Sequence, residues 1–160
     1  MPDLFSVREL IEVAIREEQT AAVFYRAVAA NTDSKALKDF MLSVAKMEDD
    51  HERKFRALLS RVGAYEPAGE SYGGEYESYM AYLTEGRIFP MGQDAVEMAR
   101  RQPSDEEAVK TSMEMEKNTL LFYHEMTRFV RVNDRPLLEE IINEERQHVT
   151  DLARYRDEHF

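Results

Sequence analysis

The sequence contains no cysteine and no long apolar run. Without cysteine the chain cannot form disulfides, zinc–thiolate sites, cysteine-bound iron–sulfur clusters or a thiol nucleophile, and this fits a reducing compartment. The longest apolar runs have five residues, at 21–25 and 79–83. A membrane-spanning helix needs about 20 apolar residues, and the core of a signal peptide needs at least ~7. We therefore expect a cytoplasmic protein that does not enter a membrane.

Basic side chains are in the minority. The chain has 21 Lys and Arg against 32 Asp and Glu, which gives a net charge of −11. Nucleic-acid binding depends on Lys and Arg at phosphates, and anionic membrane surfaces attract basic segments. The charge therefore disfavours both partners, whereas it is compatible with the binding of cations.

Glycine and proline are rare outside one segment. Residues 64–103 hold five of the six glycines and three of the five prolines. The flanking blocks can therefore carry long helices without breakers. Start and stop signals, namely Ser6, Gly63, Ser104 and Asp134, predict four helices over about 6–30, 34–62, 104–132 and 135–158.

Apolar residues recur in each predicted helix at spacings of three and four, which is typical of a helix with one buried face. The sequence thus predicts an all-α four-helix bundle in a single domain, 1–160, built from two antiparallel helical hairpins. The connection over 64–103 is long enough to run the length of a helix, so the second and third helices are expected to be parallel and joined by a crossover. Short helices are expected within it near 76–83 and 94–101.

The apolar residues of each helix form a stripe along its buried face. Near its middle, each stripe is interrupted by ionisable side chains, which are rare in a protein core. The interrupting residues are Glu18, Glu48, His51, Glu116, Glu145 and His148. Four buried carboxylates at one level need compensation, and two divalent cations would supply it. Carboxylate and imidazole ligands suit iron or manganese, and zinc less specifically. Without metal, burial and mutual repulsion are expected to raise the pKa of all four carboxylates.

The two halves of the chain repeat this pattern. Tyr25 follows Glu18 by seven residues, and Tyr123 follows Glu116 by seven. Each half then ends in Glu-x-x-His, which places both side chains on one helix face. A single Glu-x-x-His is weak evidence, since it is usually a solvated helical pair. The duplicated spacing and the matched depths in four stripes are what favour a metal site over a satisfied polar core.

The duplicated motif resembles the ferritin-like di-iron carboxylate superfamily, most closely the rubrerythrin-type four-helix domain. The matching features, over residues 6–62 and 104–158, are Glu18…Phe24-Tyr25, Glu48-x-x-His51, Glu116…Phe122-Tyr123 and Glu145-x-x-His148. The resemblance implies two iron ions per chain, with manganese or zinc as alternatives, and one histidine on each ion. It makes the four glutamates the catalytic carboxylates and Tyr25 and Tyr123 hydrogen-bond donors to them. Which carboxylates bridge and which are terminal stays open.

The resemblance implies an oxidoreductase that reduces peroxide or dioxygen. Rubrerythrins proper carry a rubredoxin module with four cysteines, and this chain has no cysteine. Electrons are therefore expected from a separate donor protein. Rubrerythrins also tend to carry an extra glutamate where this chain has Thr119.

Two alternatives stand beside this reading: a ferroxidase or iron-handling protein, and a non-catalytic helical interaction module. A homodimer is expected, with the tyrosines of the crossover as candidate interface groups. Glu17 and Glu144, next to the candidate ligands but one step off the stripes, are interpreted as structural flank residues.

Overall fold

The computed structural model describes residues 7–62, 93–128 and 130–160. Within these ranges it has five helices and no strand. They are α1 (Val7–Asn31), α2 (Lys35–Val62), α3 (Gln93–Arg100), α4 (Asp105–Met126) and α5 (Arg135–His159). The four long helices correspond to the four predicted from sequence, and α3 corresponds to the short helix expected near 94–101.

The first and third long helices run in opposite directions. Tyr25 donates a hydrogen bond to Glu116, whereas Tyr123, further along α4, donates one to Glu18, earlier on α1. The order of contacts is therefore reversed, which means that α1 and α4 are antiparallel.

The second and fourth long helices are also antiparallel. Phe40 stacks on Tyr155, and further along α2 the Lys54 amine contacts Glu140, earlier on α5. Because a three-residue turn reverses the chain between α1 and α2, α2 and α4 must be parallel. This is the arrangement of two antiparallel hairpins that the long crossover predicted.

Side-chain caps begin two of the long helices. The Ser34 hydroxyl accepts a hydrogen bond from the Leu37 amide at 3.2 Å, and the Ser104 hydroxyl accepts one from the Glu107 amide at 3.2 Å. Both satisfy a backbone N–H that lacks a helical partner. Asp134 occupies the corresponding position of α5 but forms no side-chain cap bond. The predicted signals at Ser6 and Gly63, and the helix expected near 76–83, lie outside the described residues.

The third long helix is shorter than the sequence predicted. It ends at Met126, not near 132. The residues after it include the β-branched Thr127, Val130 and Val132, which lose side-chain freedom in a helix. Val130 turns into the core and is 4% exposed, while the Arg131 guanidinium donates to the Val62 carbonyl at 3.0 Å and so caps the end of α2.

The bundle interior has two apolar layers separated by a polar one. One layer contains Phe24, Leu37 and Met41, and the other contains Leu10 and Phe55. The short helix α3 packs through Ala95 and Ala99 into the first layer. No helix of the described ranges is both long and apolar enough to cross a membrane.

Candidate metal centre

Between the two apolar layers lie the six polar residues that the sequence singled out, and we call them the Glu/His cluster. All are at most 2% exposed. Each long helix contributes to it, and α2 and α5 contribute two residues each because glutamate and histidine three apart share a helix face. The members are Glu18 from α1, Glu48 and His51 from α2, Glu116 from α4, and Glu145 and His148 from α5.

Glu48 and Glu145 each face both histidines. The Nδ1 atom of His51 lies 2.7 Å from Glu145 Oε1 and 3.3 Å from Glu48 Oε2. The Nδ1 atom of His148 lies 2.9 Å from Glu145 Oε2 and 3.2 Å from Glu48 Oε1. Each carboxylate therefore directs one oxygen towards each histidine. One ligand atom from each of these four residues lies within 4.8 Å of those from the other three, and we call the four residues the inner quartet.

Glu18 and Glu116 flank the inner quartet. Glu18 Oε2 is 3.7 Å from His51 Nδ1. Tyr123 donates a hydrogen bond to Glu18, and Tyr25 donates one to Glu116. Each tyrosine thus holds the carboxylate of the other hairpin, so these two buried bonds fix the hairpins against each other across the cluster.

The outer carboxylates hold protons more tightly than ordinary glutamates do. Burial, reinforced by the negative charge of Glu145, raises the pKa of Glu18 well above its usual range. Burial and the charge of Glu48 do the same for the pKa of Glu116. This part of the sequence-based expectation agrees with the geometry.

The inner carboxylates behave in the opposite way, and here the expectation of four raised values was wrong. Burial alone would raise the pKa of Glu48 and of Glu145, but the two adjacent imidazoles outweigh it and lower both. Burial likewise disfavours charged histidines, yet the carboxylates raise the pKa of His148 to about 11 and that of His51 further still. Two carboxylates and two imidazolium groups are therefore charged near neutral pH, and their charges cancel.

The buried atoms of the inner quartet leave bonding capacity unused. Glu48 Oε1, His51 Nδ1, Glu145 Oε1 and His148 Nε2 are buried without a hydrogen bond of good geometry. The first three of these atoms lie 2.7–3.3 Å from oppositely charged partners, so a cation that takes them up would replace ion pairs with metal–ligand bonds. Oxygen and imidazole ligands close together fit iron or manganese, and zinc less specifically. The residues present therefore fit a divalent metal centre.

Glu144, which the sequence analysis interprets as a structural flank residue, contacts the centre. Its Oε2 atom lies 2.7 Å from His51 Nε2. The Lys54 amine donates to both oxygens of Glu144 at 2.8 Å, and these bonds lower the pKa of Glu144 despite partial burial. Sequence reasoning missed this contact because Lys54 and Glu144 are on different helices and come together only when α2 and α5 pack.

A cavity of about 650 Å³ opens on the α2–α5 face beside the cluster. His148, Glu144 and Met47 line it, together with the cationic side chains of Arg53 and Lys54. It brings a solvent-accessible space to the edge of an otherwise buried site.

The sequence and the fold both match known proteins. A sequence model of the rubrerythrin family matches residues 9–155, whereas a search among curated proteins gives no significant match. A Thermotoga maritima protein described as ferritin-like and diiron-carboxylate superposes with a TM-score of 0.73 at 21% identity, over 98% of this chain and 97% of that chain. A hypothetical protein from Pyrococcus furiosus superposes with a TM-score of 0.66 at 22% identity, over 96% of this chain and 89% of that chain. These two structures share the fold, and the match over residues 9–155 shows that the chain belongs to the rubrerythrin family of ferritin-like di-iron domains.

Proposed function

We propose that this protein is a di-iron carboxylate oxidoreductase that reduces peroxide or dioxygen with electrons from a separate donor. One observation carries the proposal: Glu48 and Glu145 each direct one oxygen towards His51 and the other oxygen towards His148. A carboxylate oriented in this way could offer one oxygen to each of two cations. In the proposal, these two glutamates would hold both ions.

The remaining four residues of the Glu/His cluster divide between the two ions. Glu18 approaches His51, and the charge of His148 acts on Glu116. We therefore assign Glu18 and His51 to one ion and Glu116 and His148 to the other. Each ion would then be held by one of these carboxylates and one imidazole, together with Glu48 and Glu145.

Bound ferrous iron would supply the two electrons that, with two protons, convert one molecule of hydrogen peroxide into two of water. The chain's own residues prepare the site for this. Tyr25 and Tyr123 hold the terminal carboxylates in place, and ligand orientation of this kind commonly tunes metal sites. The apolar layers on either side keep bulk water away.

Substrate and electrons must both reach the buried centre from outside. The cavity that borders His148 is the route we assign to a small oxidant. The chain has no cysteine with which to bind a rubredoxin-type iron. Re-reduction is therefore assigned to a separate donor.

Anaerobic loading with Fe²⁺, followed by rapid mixing with peroxide or dioxygen at matched concentrations, tests the proposal. We expect both to oxidise the centre and peroxide to do so faster. The double variant Glu48→Ala with Glu145→Ala is the control, and it should show only the slow oxidation of free Fe²⁺. Equal rates in the wild-type protein and this variant would refute the proposal.

A ferroxidase is the second candidate, and Thr119 is the observation that favours it. Thr119 is 3% exposed, one turn after Glu116, at the place where rubrerythrins tend to carry an extra glutamate. The site therefore has one carboxylate fewer than that pattern. Faster oxidation by dioxygen, together with growth of a ferric mineral, would move the assignment to ferroxidase.

A further inference from the structure

The two histidines of the Glu/His cluster have different surroundings on their outer side. His51 Nε2 lies 2.7 Å from Glu144 Oε2, and Lys54 holds both oxygens of that carboxylate. The side chain of Lys54 is 25% exposed and that of Glu144 is 43% exposed. Within the described part of the chain, His148 Nε2 is buried and no group forms a hydrogen bond with it.

The internal repeat explains this difference residue by residue. Glu144 precedes Glu145-x-x-His148, and the equivalent position before Glu48-x-x-His51 is Met47. Lys54 follows His51 by three residues, and the equivalent position after His148 is Asp151. Met47 and His148 line the same cavity, so the place that symmetry would give to a carboxylate is taken by a thioether.

A carboxylate that accepts a hydrogen bond from Nε2 of a histidine affects the protonation of Nδ1 in the same ring. By accepting a hydrogen bond from His51 Nε2, Glu144 keeps a proton on that nitrogen, so a cation that displaces the other imidazolium proton would meet the lone pair of Nδ1. Glu144 also fixes the plane of the ring. Among the described residues no group accepts a hydrogen bond from His148 Nε2, and this ring is held only at Nδ1, which lies 2.9 Å from Glu145 Oε2 and 3.2 Å from Glu48 Oε1.

We propose that Glu144 and Lys54 are positioning residues for His51 and that they make the two metal positions unequal, with the ion beside His51 held more tightly than the ion beside His148. This inference rests on the proposed function, since it requires that the Glu/His cluster binds two ions. Partners of metal-ligating histidines commonly change affinity by about 10–100-fold. We expect a difference of that order between the two binding steps.

A titration of the metal-free protein with Co²⁺, monitored by calorimetry and by visible absorption, tests the inference without measuring turnover. The wild-type protein should bind two ions in two resolved steps. Glu144→Leu should weaken the tighter step by about 10–100-fold and leave the other unchanged, while Glu144→Gln, which retains an acceptor, should restore part of the loss. Glu140→Leu is the matched control, because Glu140 contacts Lys54 without reaching His51.

A variant that is expected to bind more tightly complements this test, because damage to the fold would not raise the affinity. Met47→Glu places a carboxylate at the position equivalent to Glu144 and should tighten the weaker step. If the protein binds two ions but neither Glu144→Leu nor Met47→Glu changes the affinity of one ion selectively, the inference is overturned. The proposed function is not affected by that result. Absence of Co²⁺ binding by the wild-type protein would overturn both.

Discussion

Metal binding should release protons, and their number should follow from how many residues of the Glu/His cluster are protonated in the metal-free protein. Near neutral pH the raised pKa values of His51 and His148 keep both imidazoles protonated, and the pKa values of Glu18 and Glu116 are shifted in the same direction. Metal ligands must be deprotonated. Two divalent ions should therefore displace at least the two imidazolium protons, and the loaded cluster is neutral because four carboxylates then balance two doubly charged cations.

The number of protons released distinguishes the buried cluster from ligands with unperturbed pKa values. Isolated glutamates at pH 7 carry almost no protons, and two isolated histidines with a pKa of about 6.5 carry about 0.5 protons in total. The structure thus predicts a release at least about four times larger than unperturbed ligands would give, by the same reference values.

Calorimetry in two buffers of different ionisation enthalpy gives the number directly. The titration uses Fe²⁺ under anaerobic conditions at pH 7, and the double variant Glu48→Ala with Glu145→Ala gives the baseline. Release of two or more protons per two ions supports the protonation pattern. Release below one proton would refute it, because the two imidazoles would then be largely neutral before the metal arrives.

Three further outcomes follow. The free energy of unfolding of the metal-free protein should fall as pH rises from about 6.5 towards the folded pKa of His148, about 11, by about 1.4 kcal/mol per pH unit for each proton that only the native state retains. A flat profile in urea melts between pH 6.5 and 9 would contradict this. Tyr123→Phe and Tyr25→Phe should each cost about 1–3 kcal/mol in urea melts, since a buried carboxyl group loses its partner, whereas Tyr155→Phe, outside the cluster, should cost less. Replacing Ala95 by leucine should cost about 1–3 kcal/mol through overpacking of α3 against α1, and an unchanged melting curve would place α3 elsewhere.

The sign of the pH dependence comes from opposing contributions. Groups with a raised folded pKa contribute stability that is complete below their unfolded pKa, about 4.3 for glutamate and 6.5 for histidine, and that is lost at higher pH. Glu48 and Glu145 have a lowered pKa, so their contribution is present above about pH 4.3 and is lost in acid. The metal-free protein should therefore be most stable at mildly acidic pH.

The helices and the members of the cluster could be predicted from sequence because both leave a periodic signal. Glu116 stands out since it occupies a core position between apolar neighbours on α4, and it is indeed 1% exposed. Cap residues such as Ser104 also act locally, so their effect is visible in a short stretch of chain.

Features that depend on how helices face one another could not be predicted. The sequence did not indicate which carboxylates would face the histidines, and this orientation separates the low pKa of Glu145 from the high pKa of Glu18. The contact of Glu144 with His51 has the same origin. Beyond the early end of α4, Val130 packs into the core, and a tertiary contact of this kind leaves no signal in a local helical pattern.

Metal stoichiometry is the most direct test of the central claim that the Glu/His cluster binds two ions. The metal-free wild-type protein, the double variant Glu48→Ala with Glu145→Ala, and a control double variant Glu97→Ala with Glu114→Ala are each equilibrated with Fe²⁺ under anaerobic conditions and analysed for bound iron. The control removes the same charge from exposed side chains on α3 and α4. We expect two ions per chain in the wild-type protein and the control and none in the cluster variant. Equal iron content in the two double variants would contradict the account.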